Sequence, residues 1–115
     1  MGNTDLKLHM NQGEAERLRS HVLDYENAVR LSRQAQALAD PNRLTLLALL
    51  GEAGKKICVS DLCLLTDREQ SGVSRNLRIL WEAGLVERTR WHYLVEYKPT
   101  SAGERLLAAL LEEDD

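Results

Sequence analysis

The chain has 115 residues, the size of a single domain, and its 43 % hydrophobic content includes only 4 % aromatics and no Phe. Its core must therefore be assembled from Leu, Val, Ala and Ile, which favours a mainly helical fold. No segment approaches the roughly 20 apolar residues that span a bilayer, and the N-terminus lacks the basic-then-apolar order of a secretory signal, so a cytoplasmic protein without a membrane partner is expected. In that compartment Cys58 and Cys63 are expected as thiols, ligands or core residues rather than as a structural disulfide. Net charge is −3, yet residues 68–98 hold six bases against four acids, while residues 99–115 hold one base against five acids. A positive balance of two is a weak electrostatic footprint for a nucleic-acid partner, so two copies on one site are expected.

Residues 1–13 are polar and unpatterned and read as a flexible arm. From Glu14 to Leu38 an apolar stripe of Leu18, Val22, Tyr25, Val29, Leu31, Ala35 and Leu38 predicts one long helix. Asp40-Pro41 stops it and starts the next, with Asp40 as N-cap and Pro41 in the first turn. The dense run Leu44 to Leu50 predicts a fully buried helix ending near Gly51 or Gly54. Lys55 to Val59 then reads as a short strand, with Ser60 capping a brief helix over 61–65.

Thr66 or Asp67 caps the following helix, and Gly84 ends it. Val73, Leu77 and Leu80 recur at the helical period and form its inner face. Ser71, Ser74, Arg75 and Arg78 point outward, and Gln70 lies at the border. Early in such a helix Arg forks onto guanine and Gln onto adenine, while Ser holds phosphate. Leu85 to Arg88 and Tyr93 to Lys98 read as a two-stranded hairpin around Thr89 to His92. Arg88, Arg90 and His92 flank Trp91 there, as a basic tip suited to a phosphate backbone or a minor groove, unless Trp91 folds back onto its own domain. Trp81 is expected beneath the hairpin or at a partner surface. Thr100 or Ser101 caps a last amphipathic helix over 104–111, and residues 112–115 form an acidic tail.

This order is that of a winged helix-turn-helix, mainly α with a small β-hairpin and dimeric, with residues 14–111 as the domain. Ala37-Leu-Ala-Asp-Pro-Asn-Arg-Leu44, Ile57-Cys-Val-Ser-Asp-Leu-Cys63, Gln70-Ser-Gly-Val-Ser-Arg-Asn-Leu77 and Glu82-Ala-Gly-Leu-Val86 resemble four motifs of the ArsR/SmtB family of bacterial repressors. The resemblance implies a homodimer that dimerises through its first and last helices, binds an inverted repeat in double-stranded DNA and leaves it when an inducer binds. It also implies a metal site at Cys58, Asp61 and Cys63, with Ser60 in place of the family's middle cysteine and with His9 and His21 as further donors. Asn76 stands where the family often has His.

Thiolates suit zinc, cadmium, lead or arsenite, and imidazole donors shift the preference toward zinc or nickel. On a regular helix Cys58 and Cys63 would point about 140° apart, so they chelate together only if Cys58 precedes the helix. The same two thiols would serve an oxidation trigger, and burial of both would make them plain core residues. A protein-binding winged helix is the other reading, favoured by the acidic tail. No nucleophile-base array is evident, and Glu112 and Glu113 sit in that tail, so no enzyme is expected.

Overall fold

The computed structural model describes residues 7–112. Six helices and three short strands follow one another as α1 (Gln12–Arg19), α2 (Tyr25–Ala37), α3 (Pro41–Ala53), β1 (Ile57–Cys58), α4 (Val59–Thr66), α5 (Gln70–Glu82), β2 (Val86–Trp91), β3 (Leu94–Pro99) and α6 (Ser101–Leu111). The strands form one antiparallel sheet in the order β1-β3-β2. The hairpin expected from sequence therefore gains a third strand, with Ile57 opposite Tyr97 and Cys58 opposite Glu96.

The single helix expected over 14–38 is two helices. Ser20 Oγ donates to the Arg17 carbonyl at 2.7 Å, and His21 Nδ1 lies 2.9 Å from that same oxygen. Side chains thus satisfy the last turn of α1 and compete with its continuation. Asp24 then opens α2 by accepting from the Asn27 amide at 2.9 Å. Two local caps outweigh an unbroken apolar stripe, and α1 begins within the supposed arm, at Gln12. Residues 1–6 of that arm and residues 113–115 of the acidic tail lie outside the described residues.

Asp40 and Pro41 start α3 as expected, with the Asp40 carboxylate accepting from the Arg43 amide at 3.0 Å. Gly54 closes the helix at φ 67°, a left-handed conformation that Gly adopts without strain. Leu46, Leu47 and Leu50 are buried, but Leu44, Ala48 and Leu49 are only half-buried and Thr45 is exposed, so α3 is less completely enclosed than its composition implies. Cys58, rather than Ser60, occupies the N-cap of α4, and Glu69, rather than Thr66 or Asp67, that of α5; neither side chain makes a capping hydrogen bond. Asp67 instead ends α4 at φ 54°. Asp67, Arg68 and Glu69 become the turn between α4 and α5.

One core unites these parts: Leu47 and Leu50 of α3, Leu62 of α4, Val73, Leu77 and Leu80 of α5, Leu85, Val86, and Leu107 of α6. The start of α6 is fixed on the end of α5. The Thr100 amide donates to the Leu85 carbonyl at 3.0 Å, and its hydroxyl donates to the Gly84 carbonyl at 2.7 Å. Gly103 follows one helical turn later, and a Cβ there would drive into the Leu85 carbonyl oxygen. Ala favours a helix interior over Gly by about 1 kcal/mol, but overpacking against backbone costs about 1–3 kcal/mol, so packing decides the sign. Gly103→Ala should lower the urea midpoint; a midpoint equal to or above that of the wild type would contradict this packing.

Candidate nucleic-acid interface

The helix-turn-helix consists of α4, the three-residue turn and α5. Val73, Leu77 and Leu80 are buried, while Gln70, Ser71, Arg75 and Arg78 are exposed and Ser74 is half-buried. The two-faced pattern read from sequence is thus the arrangement in space. Arg78 makes only a long contact with Glu82, at 3.7 Å, and both side chains are solvated. Such an i,i+4 pair holds by a few tenths of a kcal/mol, so Arg78 can leave it for another partner at little cost. No ion pair engages Arg75 among the described residues.

Two contacts hold α5 by its flanks. At 100° per residue Asn76 and Trp81 stand about 140° apart around the helix, on either side of the buried stripe. On one flank the Arg43 guanidinium donates to Asn76 Oδ1 at 3.3 Å and, through Nε, to the Ala37 carbonyl at 2.6 Å. Asn76, half-buried, therefore has its side-chain oxygen engaged by the domain. On the other flank the Arg88 guanidinium lies over the Trp81 ring, 3.7 Å from its centroid. Trp81 is beneath the wing, as expected, and Arg88 of the proposed DNA contacts is also the brace between β2 and α5.

The hairpin turns in only two residues, His92 and Tyr93, with His92 at φ 57°. Register separates its side chains onto two faces. Arg88 and Arg90 stand opposite Tyr97 and Val95 on the face toward the domain, whereas Trp91 pairs with Leu94 on the other. The expected single basic tip is thereby divided, with Trp91 directed away from Arg88 and Arg90. Trp91 does not fold back; it is 63 % exposed, with the His92 ring edge-on to it at 4.4 Å.

The thiols are positioned differently from one another. Cys58 precedes α4 in extended conformation, which meets the geometric condition for joint chelation, and its Sγ lies 3.3 Å from Ser60 Oγ. Cys63 packs against the core. Asp61 is exposed in the first turn of α4. His9 is exposed, and His21 lies at the end of α1 against Arg17. Among the described residues no three His, Cys, Asp or Glu side chains come together to hold a metal ion. Glu96, across the ladder from Cys58, is the nearest carboxylate by register and was not evident before β1 was seen to join the sheet.

A helix-turn-helix followed by a hairpin packed on its second helix defines a winged helix-turn-helix. The profile described as "Bacterial regulatory protein, arsR family" matches residues 40–88. A curated relative, the HTH-type transcriptional regulator NmtR of Mycobacterium tuberculosis, is 36 % identical over 94 residues, covering 82 % of this chain and 74 % of its own. The chain belongs to the arsR family of bacterial regulatory proteins. The putative arsenical resistance operon repressor ArsR of Halobacterium salinarum is 38 % identical over 74 residues, 64 % of this chain and 57 % of that protein. The match thus spans little more than half of that relative's length. Among solved structures, the homodimeric winged helix-turn-helix DNA-binding domain of a possible ArsR-family regulator from Mycobacterium bovis superposes with a TM-score of 0.68 at 27 % identity, over 82 % of this chain and 94 % of that one.

The flank contacts give a structural prediction. Removing a charged hydrogen-bond donor that serves buried or half-buried acceptors costs about 1.5–3 kcal/mol. Arg43→Ala should lower stability in that range and Asn76→Ala by less, because the carbonyls of α2 keep their partner in the second variant. Equal losses in urea unfolding would contradict the assigned division of labour.

Proposed function

We propose that the chain is a DNA-binding transcriptional repressor that reads an inverted repeat as a homodimer and leaves it when an inducer binds. The observation that carries this reading is the split of α5, with Leu and Val wholly inward and Gln70, Ser71, Ser74, Arg75 and Arg78 presented on a helix held at both flanks. Gln70 and Arg75 are the base-reading residues in this reading. Ser71, Ser74 and Arg78 hold phosphate, and Arg88, Arg90 and His92 extend the contact along the hairpin.

Dimerisation is supported by shape. The radius of gyration is 19.5 Å, against about 13 Å for a compact domain of roughly this length. Among its residues α1 buries only Ala15. Leu18, Val22, Leu23 and Tyr25 on and after α1, and Leu110 and Leu111 on α6, remain exposed, as large apolar residues awaiting a partner do. Two copies related by a two-fold axis would set their α5 helices about 34 Å apart, one turn of DNA.

Relatives named for arsenical resistance make a thiophilic or borderline ion the inducer class to test, among arsenite, cadmium, lead, zinc and nickel. Cys58 is its first donor in this reading. Donors beyond the described residues of one chain are then required, and the His9 and His21 of a second copy are the proposed source.

Arg75→Ala and Arg78→Ala should each weaken binding to a duplex selected with the wild-type protein, by about 1–3 kcal/mol where the Arg reads a base. If both variants bind as the wild type does, α5 is not the reading helix, and a protein-binding role takes its place. For the inducer, at least one of the five ions should release wild-type protein from that duplex and fail to release Cys58→Ser. Wild-type protein insensitive to all five would remove metal as the signal, and oxidation of the same thiols would be examined next.

A further inference from the structure

The geometry points to Trp91 and Tyr93 as an aromatic wedge at the wing tip, which stacks on bases from the minor groove and supplies DNA affinity that salt does not screen. This rests on the DNA-binding reading above and adds to it a contact of different chemistry. The two side chains are 63 % and 87 % exposed and stand at the turn of the β2–β3 hairpin, which follows α5 and is tied to it by Arg88 over Trp81. Large aromatic surface left in water at a protein's extremity calls for a partner with apolar faces. The faces of bases are such a partner, and apolar wedges inserted from the minor groove open base steps in this manner.

The tip is built to hold its shape. Leu94 stands opposite Trp91 across the ladder, and the His92 ring meets the indole edge-on, with centroids 4.4 Å apart and planes at 76°. Six consecutive residue pairs join β2 to β3, so only His92 and Tyr93 are unpaired. Midway along the hairpin the Arg88 guanidinium over Trp81, at 3.7 Å, ties β2 to α5. A tip stiffened in this way has a fixed offset from the reading helix. Arg90 is exposed on the opposite face of β2 from Trp91, so any phosphate it meets is a contact separate from the ring's.

Charge makes the wedge useful. The chain carries −3 overall, and residues 68–98 carry only two more bases than acids. Few counterions are then released per chain, and the electrostatic part of affinity is small. Stacking adds affinity without counterion release, and it is sequence-tolerant except where it favours steps that unstack readily, such as TA and CA.

The test uses the full chain and a duplex selected with wild-type protein, with dyes at its two ends to report bending and 2-aminopurine at candidate steps to report unstacking. The double variant Trp91→Ala/Tyr93→Ala should lose about ten-fold or more in affinity at every salt concentration, keep the wild-type slope of log affinity against log salt, and abolish both the bend and the 2-aminopurine signal. Arg90→Ala should instead lower that slope by about one. A double variant that binds and bends like the wild type would overturn the wedge while leaving the DNA-binding reading intact. A flattened slope would overturn it too, because the rings would then only position cations. If the double variant changes the sedimenting mass and not duplex binding, the tip is a protein contact and the inference fails. Wild-type protein that binds no duplex at all would overturn both readings together.

Discussion

The guanidinium of Arg43 is the contact on which the arrangement of the reading helix depends. It belongs to the first turn of α3, whose N-cap Asp40 also receives its backbone amide. Its side chain reaches the Ala37 carbonyl at the end of α2 and Asn76 on α5. No basic residue occupies the last turn of α2, so Arg43 supplies from a neighbouring helix the positive charge that a helix C-terminus favours. Three helices are thereby referred to one planar group, and because Arg is planar and forked it sets orientation as well as distance. Leu47, Leu77 and Leu80 are fully buried in the core, but apolar packing alone is non-directional and leaves rotation of α5 about its axis weakly specified.

The opposite flank is fixed by the cation over Trp81, which also carries the wing. Held on both sides, α5 presents Gln70, Ser71, Arg75 and Arg78 without needing them for its own stability. Each of these side chains is free to change partner in the proposed complex with DNA. In the proposed complex a chain so weakly basic has to draw on geometry: two copies, a helix at fixed rotation and a hairpin at fixed offset. In the proposed dimer, the exposed apolar residues of α1 and α6 would be the means of pairing.

Much of this was legible in the sequence wherever a local rule governed. The Asp40-Pro41 start, the left-handed Gly84, the Thr100 cap and the period of Val73, Leu77 and Leu80 each depend on neighbours within a turn or two. The misread boundaries also had local causes. An apolar stripe runs through Ser20 to Asp24, but the caps at both ends of that segment outweigh its periodicity. Ser60 and Thr66 looked like caps by type, but Cys58 and Glu69 occupy those positions because the extended backbone lies there and not at the better capping residues. What sequence could not show were the contacts across the fold. Arg43 and Asn76 are 33 residues apart, and β1 joins the sheet only through Tyr97 and Glu96. The separation of Trp91 from Arg88 and Arg90 needed the register of the hairpin. For the thiols, spacing identified the geometric condition that Cys58 meets, yet the missing donors are a matter of assembly and not of spacing.

The account is tested most directly by hydroxyl-radical footprinting of the full-length chain on a duplex selected with it. Two α5 helices related by a two-fold axis predict two protected patches of equal depth, centred about one helical turn apart and placed symmetrically on the two strands. A single patch, or uniform protection without symmetry, would contradict the paired reading helices on which the whole interpretation turns.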